Sequence, residues 1–199
     1  MDENLFSIYK SQLEAEGLDA NTKASRDWFL DKMQEISNID VDRNKIKSKQ
    51  KVAANFFIGK MYMFWYKPMM RLELPYFDRF PLILMLERYK EGFLALNMHY
   101  LPIDLRQKLY YNLLPRATTT TFTPRTRLKV DYQYLLGKTQ LRAYKACIKR
   151  YRFDQVIGRI AYVPANEWEV AIHLPLAMWK KAPESRVHKD SRIIARKNI

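Results

Sequence analysis

Asp78, Glu87 and Lys90 come nearest to a catalytic set in this sequence of 199 residues. Two carboxylates can hold Mg²⁺ while a lysine neutralises a scissile phosphate, which is the chemistry of a metal-dependent phosphodiesterase. Their spacing argues against it. Glu87 and Lys90 stand three apart in ERYKEG, which has the composition of a solvated hairpin tip. His99, His173 and His188 are far apart, and none has a metal-ligating residue at i+3 or i+4, so all three read as ordinary hydrogen-bonded side chains. Cys147 is the only cysteine, so no intramolecular disulfide can form and no zinc-binding spacing exists; it reads as a small buried residue. Five glycines, none spaced as a phosphate-cradling loop, argue against nucleotide-dependent enzymes. The chain is expected to be no enzyme and to need no metal or cofactor.

Binding chemistry is better represented. In KTQLRAYKACIKRYR, Arg142, Lys145, Lys149 and Arg152 fall at i, i+3, i+7 and i+10. Leu141, Tyr144, Ile148 and Tyr151 repeat with the same spacing about a quarter-turn away. The pattern predicts a helix over 138–152 with one packing face and one cationic stripe, suited to DNA phosphates or to an acidic protein surface. A solvated face is the plain alternative. The run MYMFWY could stack bases, but it is apolar on both alternating faces, as a fully buried strand requires, and so reads as core.

These residues need a scaffold, and the middle of the chain reads as β structure. FFIGKMYMFWY (56–66), PLILML (81–86) and GFLALNMHYL (92–101) are strand-like, and Arg88 to Gly92 makes a hairpin turn between the last two. Between Lys67 and Phe80 lies a loop with Pro68 and Pro75 whose Tyr76, Phe77 and Phe80 should pack back onto the sheet. Pro102 starts a helix marked by Leu105, Leu109 and Leu113, and Pro115 stops it. Gly158 to Val163 reads as a closing strand and Pro164 to Leu174 as a short helix. Helices are also expected near Leu5 to Leu13 and around Phe29 to Ile36, followed by a charged linker to Lys51.

The fold expected is α+β: a small antiparallel sheet or partly closed SH3-like barrel of residues 56–66, 81–87, 92–100 and 158–163, with surrounding helices and extended terminal arms. The domain plan is 1–54 (N-terminal helices and basic linker), 55–179 (α+β core) and 180–199 (basic C-terminal tail). That tail carries seven basic and two acidic groups and is expected to be disordered until a partner holds it.

Charge narrows the partner. The formal net charge is +14, and residues 116–199 alone carry 18 basic against 6 acidic groups, so the excess lies in the last two-fifths of the chain. A polyanion or an acidic protein neighbour fits such asymmetry better than solubility does. The first residues, MDENLFSIYK, do not read as a signal peptide, and no apolar run is long enough for a bilayer, so no membrane partner is expected.

The combination GKMYMFWYKP, LPYFDRFPLILMLE, GFLALNMHYLP, TRLKVDYQYLL, KACIKRY and PANEWEVAIHLP resembles a family of small virion-associated proteins from large contractile-tailed phages. The likeness runs from about Ser25 to Leu176 and is one of core and turn residues, so it implies no catalytic side chain. It implies a virion protein assembled in the host cytoplasm, either a tail baseplate or hub subunit, or a protein tied to packaged DNA ends. The reading favoured is a non-enzymatic structural baseplate or hub subunit that contacts neighbouring virion proteins. The alternative is a DNA-binding protein at the head or neck that protects DNA ends through the basic C-terminal part, and a metal-dependent nuclease ranks third.

Overall fold

The structure, a computed structural model, describes residues 56–121, 126–129 and 143–197 with a few further positions (11, 14–17, 123, 133, 135). The helices expected before residue 51 lie outside the described residues, apart from those few positions.

Five antiparallel strands form the main sheet: β1 (Met61–Tyr66), β3 (Leu82–Arg88), β4 (Gly92–Asn97), β5 (Ile148–Arg152) and β6 (Val156–Val163), in the order β5-β4-β3-β1-β6. The two edge strands, β5 and β6, follow one another in sequence, joined only by the 3-10 turn Phe153–Gln155. A three-residue connection between opposite edges forces the sheet to curl into a half-barrel. A second, two-stranded sheet pairs β2 (Phe77–Asp78) with β7 (Trp179–Lys180). This is the α+β architecture expected, with one strand, β5, in place of part of a helix.

All six residues of β1 are buried, which settles how MYMFWY is used. Met61, Met63 and Trp65 face a core closed by three helices, while Tyr62, Phe64 and Tyr66 face the inside of the curl. Seven of the eleven buried side chains in that inner cluster are aromatic, the others being Ile83, Met85, Ala95 and Val156. Phe93 stacks on Tyr151 at 5.3 Å, Tyr66 meets Tyr151 edge-on at 4.9 Å, and Phe56 lies 4.5 Å from Phe93. Wide rings span the half-barrel where aliphatic side chains would leave voids. The backbone N–H of Arg152 also donates to the Tyr66 hydroxyl at 3.3 Å, tying edge strand β5 across the curl to β1. Gly92 lets β4 approach β5 closely, because a Cβ there would overlap the Tyr151 carbonyl oxygen.

The helices are α1 (Ile103–Leu113), α2 (Trp168–His173) and α3 (Glu184–Lys197). Pro102 is the N-cap of α1, and Leu109 and Leu113 are buried as the sequence spacing predicts. The chain from Lys180 departs from expectation. It is not a disordered tail: α3 buries Val187, Ser191 and Ala195, and Ser191 Oγ donates to the Tyr100 carbonyl at 2.6 Å. Arg192 makes a paired contact with Asp104 of α1 at 2.8 and 3.0 Å.

Candidate nucleic-acid interface

Strand alternation decides what becomes of the basic stripe. Over 145–152 the predicted helix is absent: Lys145–Cys147 form a 3-10 turn and Ile148–Arg152 form β5, paired with β4 from Gly92↔Arg152 to Leu96↔Ile148. A period of two sends Lys149 and Tyr151 to one face and Ile148, Arg150 and Arg152 to the other, so the cations cannot line up. Ladder pairing against β4 overrides the helical spacing, because Tyr151 completes the aromatic interior. Arg142 lies outside the described residues. Lys145 is exposed. Lys149 is half-buried with its ammonium 3.9 Å from the centre of the Tyr100 ring, and burial holds its pKa below the usual lysine value. Arg152 is bound to Asp154 at 3.0 Å and to Glu91 at 3.2 Å, which leaves little of its charge for a partner.

Asp78, Glu87 and Lys90 are not brought together as a catalytic set. Asp78 is buried where β2, β4 and β7 converge, accepting from the backbone of Phe80 (2.9 Å) and Met178 (3.0 Å), from Asn97 (3.3 Å) and from His99 Nδ1 (2.7 Å). Asn97 also donates to the Tyr151 hydroxyl at 3.0 Å. Glu87 is exposed on the hairpin and accepts from Tyr89 at 2.7 Å. Among the described residues no group of three or more His, Cys, Asp or Glu is placed to hold a metal ion. The buried centre around Asp78 therefore serves as a junction that fixes both sheets.

Arg106 is a second buried polar anchor that sequence reading misses. Its guanidinium donates to the carbonyls of Ile172 (2.7 Å) and Leu101 (3.1 Å), and burial draws its pKa down to about 10. His173 and His188 are hydrogen-bonded as expected: His173 Nδ1 to the Glu169 carbonyl at 2.6 Å and His188 Nε2 to the His99 carbonyl at 3.1 Å. Cys147 is buried and its thiol points at the Tyr144 carbonyl, 3.0 Å away.

The exposed positive charge collects elsewhere. On α3, Arg186, Lys189, Arg196 and Lys197 lie on the solvent side while Val187, Ser191 and Ala195 anchor the other. No acidic group among the described residues is ion-paired with these four. The signal is present in the sequence as Val187, Ser191 and Ala195 at i, i+4 and i+8. Only one of the three is a large hydrophobe, too weak a stripe to outweigh the polar composition around it. Packed against the 3-10 turn at Lys145–Cys147, the helix stands beside Lys145. A rigid row of exposed cations from Arg186 to Lys197 of α3, roughly 16 Å long, has the reach and sign to follow a phosphate backbone.

Residues 3–192 match the family described as "Phage T4 terminal DNA protecting protein". The chain belongs to that family. No curated protein and no solved structure matches it. The resemblance to virion-associated phage proteins is thereby borne out, and the DNA-end placement gains support that the tail baseplate or hub placement, favoured from the sequence, does not. Among the described residues, no helix is long and apolar enough to cross a membrane.

Proposed function

We propose that this chain is a non-enzymatic virion protein, assembled into particles in the host cytoplasm, that binds the ends of packaged double-stranded DNA and shields them. The observation that carries the reading is the family match over residues 3–192, nearly the whole chain. The net charge of +14 and the exposed cations of α3, none of them ion-paired among the described residues, supply the electrostatic means. Each phosphate neutralised releases condensed counterions, so binding is steeply salt-dependent and tolerant of sequence.

The test is protection of linear blunt-ended duplex from a processive exonuclease, with affinity measured across a salt series. Protection in stoichiometric rather than catalytic amounts is expected, with no cleavage of DNA in Mg²⁺. The doubly reversed variant Arg186→Glu with Lys189→Glu should weaken binding alike on all sequences and lower the salt slope by about two units, roughly one for each phosphate no longer neutralised. Absence of DNA binding, or digestion at the unprotected rate, overturns the reading.

A further inference from the structure

The loop between β1 and β2 exposes three large apolar side chains within four residues: Met69 (64% exposed), Met70 (57%) and Leu72 (84%). A small protein seldom leaves such a cluster at one loop tip without a use for it. The loop is also held firmly. The backbone N–H groups of Glu73 and Leu74 bond to the Met70 carbonyl at 3.0 and 3.1 Å. Lys181, at the end of β7, reaches over to donate its ammonium to the carbonyls of Leu72 (2.6 Å) and Leu74 (2.9 Å). Lys181 has φ +70°, and it is the only non-glycine among the described residues in that left-handed region. Backbone strain maintained to clamp a loop marks a presented surface rather than a slack one.

Cations flank the apolar tip along the chain. Lys67 and Arg71 belong to the loop, and Lys180 lies one residue before the clamp; all three are exposed, and none is ion-paired among the described residues. Arg79 is also exposed at the other end of β2, its guanidinium 5.4 Å from the Trp65 ring centre. Against these stands the carboxylate of Glu73. An apolar tip flanked by positive charge does not match the side of a duplex, where base faces are stacked out of reach and phosphates lie outermost. It matches a duplex end, the place where double-stranded DNA exposes a flat apolar base-pair face bounded by two phosphate strands.

We propose that Met69, Met70 and Leu72 cap the terminal base pair of a DNA duplex while Lys67, Arg71 and Lys180 engage its outermost phosphates. The inference rests on the DNA-end reading above and names the surface that distinguishes an end from the interior. Methionine suits the task because its flexible thioether adapts to whichever base pair is terminal. The cap joins the basic helix directly: α3 begins three residues after Lys181, and Tyr76, at the end of the loop, lies close to Asp190 of α3.

The experiment compares two duplexes of one sequence, one with open blunt ends and one with both ends closed by hairpin loops. Wild type is expected to bind the open form about tenfold more tightly, the scale of burying a few apolar side chains. Met70→Ser with Leu72→Ser should erase that preference while leaving affinity for the closed form unchanged. Both positions are exposed, so thermal unfolding should match wild type; Arg71→Glu, which leaves the apolar residues intact, should reduce the preference independently. Equal wild-type affinity for both forms overturns the cap but leaves the DNA-binding reading standing. Failure to bind either form overturns both. A variant that keeps the preference but fails to enter assembled particles shows that the loop docks on a protein, and that also overturns the cap.

Discussion

The carboxylate Oδ2 of Asp78 lies 2.7 Å from Nδ1 of His99, and both side chains are fully buried. One belongs to the small sheet and the other follows β4, so this contact fastens the two sheets together. Asp78→Asn replaces an acceptor that serves four donors with an amide that must turn an N–H₂ toward some of them. The loss of stability should be about 3 kcal/mol, read from urea denaturation midpoints with an unchanged slope.

Gly92 tests the curl. Because a Cβ would overlap the Tyr151 carbonyl, Gly92→Ala must push β5 away from β4 and loosen the Phe93–Tyr151 stack. Destabilisation of about 1–3 kcal/mol is expected, together with reduced near-UV circular dichroism from the aromatic interior.

His188 makes the C-terminal helix sensitive to acid. Burial holds its imidazole below the usual histidine value, while the His99 carbonyl and Glu184 pull it upward and Arg106 and Arg192 pull it down. With the folded-state value below the ordinary 6.5, the stabilisation is present above 6.5 and is lost as pH falls toward the folded-state value. Amide exchange in α3, corrected for intrinsic rates, should therefore quicken on acidification through that window. His188→Gln should flatten the dependence.

Cys147 should be chemically silent. Burial pushes its thiol up to about 12, leaving almost no thiolate near neutrality. A maleimide should label the native protein negligibly at about pH 8 and the urea-unfolded protein stoichiometrically.

Arg152 separates the predicted stripe from the observed basic face. Already held by Asp154 and Glu91, it has little charge to offer DNA, so Arg152→Glu should change duplex affinity by less than about twofold. Arg186→Glu should weaken the same binding by a larger factor at equal salt.

The β runs are legible because burial on both faces leaves an unbroken apolar segment, and MYMFWY and GFLALN are such segments. The Arg88 to Gly92 turn and the Pro102 helix start follow from local chemistry alone, and both stand where the sequence puts them. KACIKRYR misleads because Ile148 and Tyr151, with Tyr144 before them, keep the period of a helix, while as a strand the segment sends Ile148 and Tyr151 to opposite faces and shows no apolar alternation. Only the empty edge of β4, waiting for a partner, decides between the two. The C-terminal helix escapes a sequence reading for the opposite reason: Ser191 and Ala195 become buried by fitting against Tyr100 and its neighbours, a matter of shape that hydropathy does not register.

By itself the sequence determined the fold class, the aromatic core, the charge asymmetry and the kinship with phage virion proteins, all properties of local pattern or of composition summed along the chain. The tertiary structure decided which of the described cations are held by other groups of the chain. Arg152 meets Asp154 two residues away but Glu91 from sixty-one away, Lys149 is drawn onto the Tyr100 ring, and Lys181 is turned inward onto a loop more than a hundred residues earlier. Whether a charge faces solvent, a carboxylate or a carbonyl depends on contacts between distant segments. Those contacts exist only once the half-barrel has closed.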